Sequence, residues 1–156
     1  MFDHQFFDEF DTLLQHDSYP SVTLYLPTEH DPSERQQNIT YLKNLLRDAE
    51  NQLDDEEKKA LQTPLKQAHD LIHDHNFWLH QSKGLALYLD PSSFRYYRLP
   101  QVFKPLVMID TRFHLKPVIP LLNGNRKYYL LLLQLKKVQL YECTKFSIQE
   151  IELKNL

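Results

Sequence analysis

The spacing of apolar residues changes at Gly84, and that change limits the fold more than any motif in the chain. Upstream, Ile39, Leu42, Leu45, Leu46, Ala49 and Leu53 recur at helical spacing, and Leu65, Ala68, Leu71 and Ile72 continue the pattern. Each set lays one apolar stripe along a helix. Downstream, Leu85–Leu89, Phe94–Leu99 and Val102–Ile109 are short apolar runs bounded by turn residues, which is strand patterning. Before both, Phe6, Phe7, Phe10, Leu13 and Leu14 predict a helix over 3–16, with Asp3 as its cap and Tyr19-Pro20 as its stop. Ser21–Leu26 alternates as a strand does. The remaining helices are expected over 33–53, with a capping box at Ser33 and Gln36, and over 55–74, started by Asp54-Asp55-Glu56-Glu57. The expected class is α/β, with α+β as the alternative. A mixed β-sheet of 21–26, 85–89, 94–99 and 102–109 carries packed helices.

Residues 1–122 read as one N-terminal α/β domain, with Asn123-Gly124-Asn125 as the boundary loop. Residues 126–156 read as a β-meander, with strands at 127–135, 138–143 and 147–153 and a first turn at Lys136-Lys137. Leu131, Leu133 and Leu135 alternate with Leu130 and Leu132, so this strand is expected to be buried on both faces. A cover is then needed, whether the first domain, a second copy of the chain or further chain of a longer natural protein, and a homodimer through the C-terminal strands is the expected one.

Apolar residues make up 42% of the chain, with nine Phe, nine Tyr and one Trp, which excludes a disordered polymer. No apolar run approaches the roughly 18 residues of a membrane span, so no membrane association is expected. A lone cysteine, Cys143, and no signal-peptide pattern point to the cytoplasm. The net charge of −3 hides a division. Residues 1–75 hold 16 acidic and 6 basic side chains, whereas residues 76–156 hold 5 and 12. Acidic helices neutralising basic strands explain this, and so does a nucleic-acid-facing surface in the second half.

Few local groupings suit chemistry. His69 and His73 stand one helical turn apart, as metal ligands do, but the HExxH pattern is absent and no metal is expected. His80 and Ser82 lie just before Gly84, without a nucleophile elbow around the serine. His114, between Arg112 and Lys116, suits a base or a phosphate contact. Phe94-Arg95-Tyr96-Tyr97-Arg98 interleaves aromatic and basic residues as base-stacking strands do. With two glycines in the chain there is no phosphate cradle, and no cofactor is expected.

Several segments taken together carry a resemblance. They are Val22–Thr28, Leu42–Leu46, Phe77-Trp78-Leu79-His80-Gln81-Ser82-Lys83-Gly84-Leu85-Ala86, Phe94–Pro100, Arg112-Phe113-His114-Leu115-Lys116-Pro117 and Tyr128–Leu153. From Ser21 to Leu153 the chain resembles the third family of bacterial and archaeal proteins related to the eukaryotic class 1 peptide-chain release factor. The resemblance implies a three-domain parent about twice this length, with 126–156 as the opening strands of a truncated middle domain. The Gly-Gly-Gln tripeptide of true release factors is absent. Their stop-codon-reading Asn-Ile-Lys-Ser motif is absent too, since Asn38-Ile39-Thr40-Tyr41 shares only its first two residues, so neither residue set that defines release-factor activity carries over.

Three functions follow as expectations. The first is a non-catalytic module associated with translation, contacting ribosome or tRNA through Lys83, Arg95, Arg98, Arg112, His114 and Lys116. The second is a hydrolase of a nucleic-acid or nucleotide ester, with His80, Ser82 and His114 as catalytic candidates beside Arg112. The third is a protein-binding adaptor using the acidic segment 48–57.

Overall fold

The computed structural model describes residues 3–123, 127–144 and 147–153. The chain divides into two compact units, residues 1–115 and 116–156. Asn123 of the expected boundary loop closes a short helix, and the rest of that loop lies outside the described residues.

The first unit contains α1 (Gln5–Gln15), β1 (Ser21–Pro27), α2 (Arg35–Gln52), α3 (Asp55–Ala60), α4 (Gln62–Ile72), α5 (His75–Leu79), β2 (Gly84–Asp90), β3 (Ser93–Leu99) and β4 (Leu106–Asp110). Helices packed on a sheet are the expected class. Within it, the strand order is β3-β2-β1-β4 and every pairing is antiparallel, where a mixed sheet was expected. Adjacent apolar runs do not encode direction. Here the helical excursion from 28 to 83 brings the chain back antiparallel to β1. Pro105, which donates no ladder hydrogen bond, stands just before the edge strand β4.

Period-two alternation splits the sheet into two apolar faces. Val22, Leu24, Leu26, Leu85, Leu87 and Leu89 face α2, α4 and α5 and join Leu42, Leu46, Leu65 and Trp78 in one core. Burying each such side chain contributes about 1.5–3 kcal/mol. The Trp78 indole N–H is satisfied by the Leu71 carbonyl at 2.7 Å. The opposite face presents Tyr25, Tyr88 and Tyr97. Phe103 packs on Tyr25 at 4.9 Å, Phe113 on Tyr88 at 5.2 Å, and Phe6 of α1 meets Tyr97 edge-on at 5.3 Å.

Two expected caps are replaced. Asp3 does not cap α1, whose N-cap position is His4, with no side-chain capping hydrogen bond. Instead its carboxylate accepts the Arg98 N–H at 2.7 Å, because the edge of β3 needs a partner there. At α2, Asp31 accepts the Ser33 N–H at the start of a 3₁₀ turn (Pro32–Glu34), so no Ser33–Gln36 box forms. The box is built one helix later, by Asp54 and Glu57 on α3. Asp54 and Glu57, two of the six acidic residues of the 48–57 segment in the adaptor reading, are thereby engaged within the fold.

The second unit contains a 3₁₀ turn (Lys116–Val118), α6 (Ile119–Asn123), β5 (Tyr128–Gln134), β6 (Lys137–Cys143) and β7 (Ile148–Ile151). The strands form the expected antiparallel meander β5-β6-β7, with its first turn at Leu135-Lys136 rather than Lys136-Lys137. The expectation that β5 is buried on both faces fails, since Leu131 and Leu133 are 54% and 72% exposed. A leucine run fixes how apolar a strand is and leaves open what lies over it. No helix among the described residues is long and apolar enough to cross a membrane.

Candidate functional site

The string from His80 to Gly84 sits where α5 ends and β2 begins, beside the end of β1. It holds that end of the sheet together through main-chain atoms. Thr28 N–H donates to the Lys83 carbonyl at 3.1 Å, and the Thr28 hydroxyl donates to the Ser82 carbonyl at 2.8 Å. The Gln81 amide, itself buried, donates to the Phe77 carbonyl at 2.7 Å. One turn into α2, buried Asn38 grips the main chain of Glu29 from both sides. Its Nδ2 donates to the Glu29 carbonyl and its Oδ1 accepts the Glu29 N–H, each at 3.0 Å. His80 and Lys83 stay exposed, and Ser82 is half-buried.

Arg112 lies at the other end of the sheet. It follows β4 and faces Asp17 at 3.7 Å, both side chains being exposed. Such pairs contribute little to stability. His114 is held by its backbone: its N–H donates to Thr23 Oγ1 at 3.0 Å and its carbonyl accepts the Tyr25 hydroxyl at 2.5 Å. The seven residues of β1 separate the Ser82 end from the Arg112 end, roughly 20 Å at the usual rise per residue. His80, Ser82 and Arg112 therefore do not meet in one cleft, which counts against the hydrolase reading.

Arg95 and Arg98 are three residues apart on a strand, so they project from opposite faces. Arg95 lies on the α1 side, next to Tyr97. Arg98 faces α5, where its guanidinium stands 4.9 Å over the Phe77 ring and 5.6 Å over the Tyr96 ring. It also pairs with Asp3 at 3.8 Å. Lys116 is exposed in the second unit. Sequence proximity grouped these cations, and the pleat of β3 divides two of them.

His69 and His73 line a groove between α2 and α4 of about 330 Å³, together with Lys43, Arg47, Glu50 and Ile72. His69 Nε2 bonds to Glu50. Among the described residues, no three His, Cys, Asp or Glu side chains are grouped to hold a metal ion.

Two polar groupings carry no signal in the sequence. In the first, His16 Nε2 lies 2.8 Å from Ser21 Oγ and 3.9 Å from Asp90 Oδ2, while its ring stacks on Phe113. The Ser21 hydroxyl is buried and donates to the Ser18 carbonyl at 2.5 Å, so Nε2 must be the donor to Oγ. A histidine that activates a serine accepts the hydroxyl proton and takes the carboxylate on its other nitrogen. This cluster does neither, so it is a structural joint. In the second, Tyr25 and Tyr88 hydroxyls meet at 2.9 Å, and Tyr97 bonds to Glu9. Burial pushes the hydroxyls of Tyr25, Tyr88 and Tyr97 well above the ordinary tyrosine range, and Glu9 pushes Tyr97 further. Residues 63 or more positions apart form these contacts, which periodicity does not reveal.

No family model matches this chain, and no curated protein does. Solved structures do match. The archaeal translation termination factor aRF1 aligns over 95% of this chain with a TM-score of 0.54 and 14% identity. A structure described as an archaeal protein aligns over 95% of this chain with a TM-score of 0.55 and 13% identity. The fold is release-factor-like. The chain spans 43% of the length of each of these two structures. At such identities the likeness concerns the fold.

Proposed function

We propose that this chain is a non-catalytic, release-factor-like module that contacts ribosomal RNA or tRNA. The observation that supports it is the likeness to a translation termination factor over 95% of the chain. The separation of His80 and Ser82 from Arg112 favours binding over hydrolysis. Of the six candidate contacts, Lys83, Arg112 and Lys116 present exposed cations, Arg95 and His114 are half-buried, and Arg98 is engaged by Asp3 and two rings. Phosphate contacts release counterions, so binding falls as salt rises, by about 0.7–0.9 log units per log of salt for each contact. Ribosome and tRNA co-sedimentation across a salt series tests the reading. Binding that weakens with salt, and weakens further in Lys83→Glu and Arg112→Glu, is expected. Absence of binding at low salt defeats it. The exposed leucines of β5 support self-association through the C-terminal strands as part of the same proposal. Light scattering at micromolar concentration should then give twice the chain mass, and a monomer mass removes that part.

A further inference from the structure

We propose that the outer edge of β3 is a docking site for an extended peptide, which adds there as a further strand beside Phe94 and Tyr96. The phase of the ladder carries the argument. Opposite Arg98, Tyr96 and Phe94 on β2 stand Leu85, Leu87 and Leu89. The Arg98 N–H donates to Asp3 and its carbonyl accepts the Asp3 N–H at 2.9 Å, so both groups face away from β2. Alternate residues of an antiparallel strand share that orientation. The N–H and carbonyl of Tyr96 and of Phe94 therefore face the same outer edge, and no described residue bonds to them.

The edge also has room beside it among the described residues. A cavity of about 470 Å³ lies between it and α1, lined by Gln5, Glu9, Thr12 and the stretch Phe94–Tyr97. Edge strands usually carry a proline, a lysine or a bulge that deters pairing. Ser93–Leu99 holds no proline, its register with β2 runs unbroken, and its charged residues are Arg95 and Arg98, of which Arg98 is already paired with Asp3. Asp3 already shows main chain bonding at this edge.

The same register sets the chemistry of the partner. A residue opposite Arg95 projects towards α1, where a carboxylate meets the guanidinium as Asp3 meets Arg98. The Glu9 carboxylate there already accepts from Tyr97 and Gln5. Residues opposite Phe94 and Tyr96 project to the other side, against those rings, and apolar groups fit them. The partner is an extended segment reading apolar, acidic, apolar, bound mainly through its backbone.

The probe is a fluorescein-labelled, end-blocked Thr-Val-Glu-Val-Thr peptide, titrated with the full chain and read by anisotropy. Saturable binding is expected, weaker by about tenfold when the central Glu is Lys. The Tyr96→Pro variant removes one outward N–H at a position where edge strands tolerate proline. It should bind at least about tenfold more weakly, from one lost hydrogen bond together with the lost ring, with a melting temperature lowered by the loss of the Tyr96 contacts to Phe77 and Arg98. The Arg95→Glu variant should reverse the preference between the two peptides, and it decides the matter if Tyr96→Pro does not fold. The proposal is overturned by no saturable binding to the wild-type chain. It is equally overturned by no Glu/Lys preference in any variant, or by displacement of the peptide by an RNA oligonucleotide.

Discussion

Replacing Gly84 by alanine tests the close packing of the start of β2 against Gln101 and Phe103. Gly84 opens β2 opposite Pro27 and Leu99. A Cβ there would lie 2.1 Å from the Gln101 carbonyl oxygen and 2.5 Å from Phe103 Cδ2. Ordinary contact starts near 3.4 Å, so the backbone at Gln101 must retreat by more than 1 Å. Phe103 is buried against Tyr25 and has little room to follow. Overpacking of this kind costs about 1–3 kcal/mol. Alanine recovers part of that, about 0.4–1 kcal/mol, by narrowing the unfolded ensemble. The net loss should be about 1–2 kcal/mol, or a melting temperature lower by roughly 2–8 °C. Adding Phe103→Leu to Gly84→Ala should not restore the melting temperature, because the Gln101 carbonyl remains in the way. Calorimetry at neutral pH on wild type and both variants measures this. An unchanged or raised melting temperature in Gly84→Ala refutes the argument that close approach demands glycine here.

Three other outcomes are expected. Tyr25, Tyr88 and Tyr97 hold their protons more tightly folded than unfolded, so stability is full below about pH 10 and falls as pH rises beyond it. Each can contribute up to about 1.4 kcal/mol per pH unit above that point. Tyrosinate absorbance should therefore rise together with unfolding, and early titration of all nine tyrosines in the folded chain contradicts it. Asn38→Ala leaves the Glu29 N–H and carbonyl without their partner and should cost about 1–3 kcal/mol in urea unfolding, whereas Thr40→Ala, on the exposed side of α2, should cost under 1 kcal/mol. Trp78→Phe replaces the buried indole by a smaller ring and loses the bond to Leu71, for a loss of about 1–3 kcal/mol from the bond and the space left together; no change in the denaturation midpoint removes both from the account.

Asn38, the first residue of the Asn-Ile pair in Asn38-Ile39-Thr40-Tyr41, is buried and holds the main chain after β1. Its place in this chain is explained by that clamp. Likewise the His80–Gly84 string is explained largely by the bonds that its backbone makes with Thr28, and by the space its glycine leaves for Phe103.

The sequence by itself determined which segments are helix and which are strand, because helical and two-residue periods are local properties. It also showed that the helices are amphipathic, that Asp54–Glu57 starts one of them, and that the last strands form a meander. Strand direction, the β3-β2-β1-β4 order and the switch of Asp3 from cap to edge partner came only from the tertiary structure. So did the division of Arg95 from Arg98 and the separation of Ser82 from Arg112. Each of these depends on contacts between residues far apart in the chain, and local spacing carries no term for them. The exposed leucines of β5 mark the same boundary: hydrophobicity is written in the sequence, while burial depends on what the fold places over it.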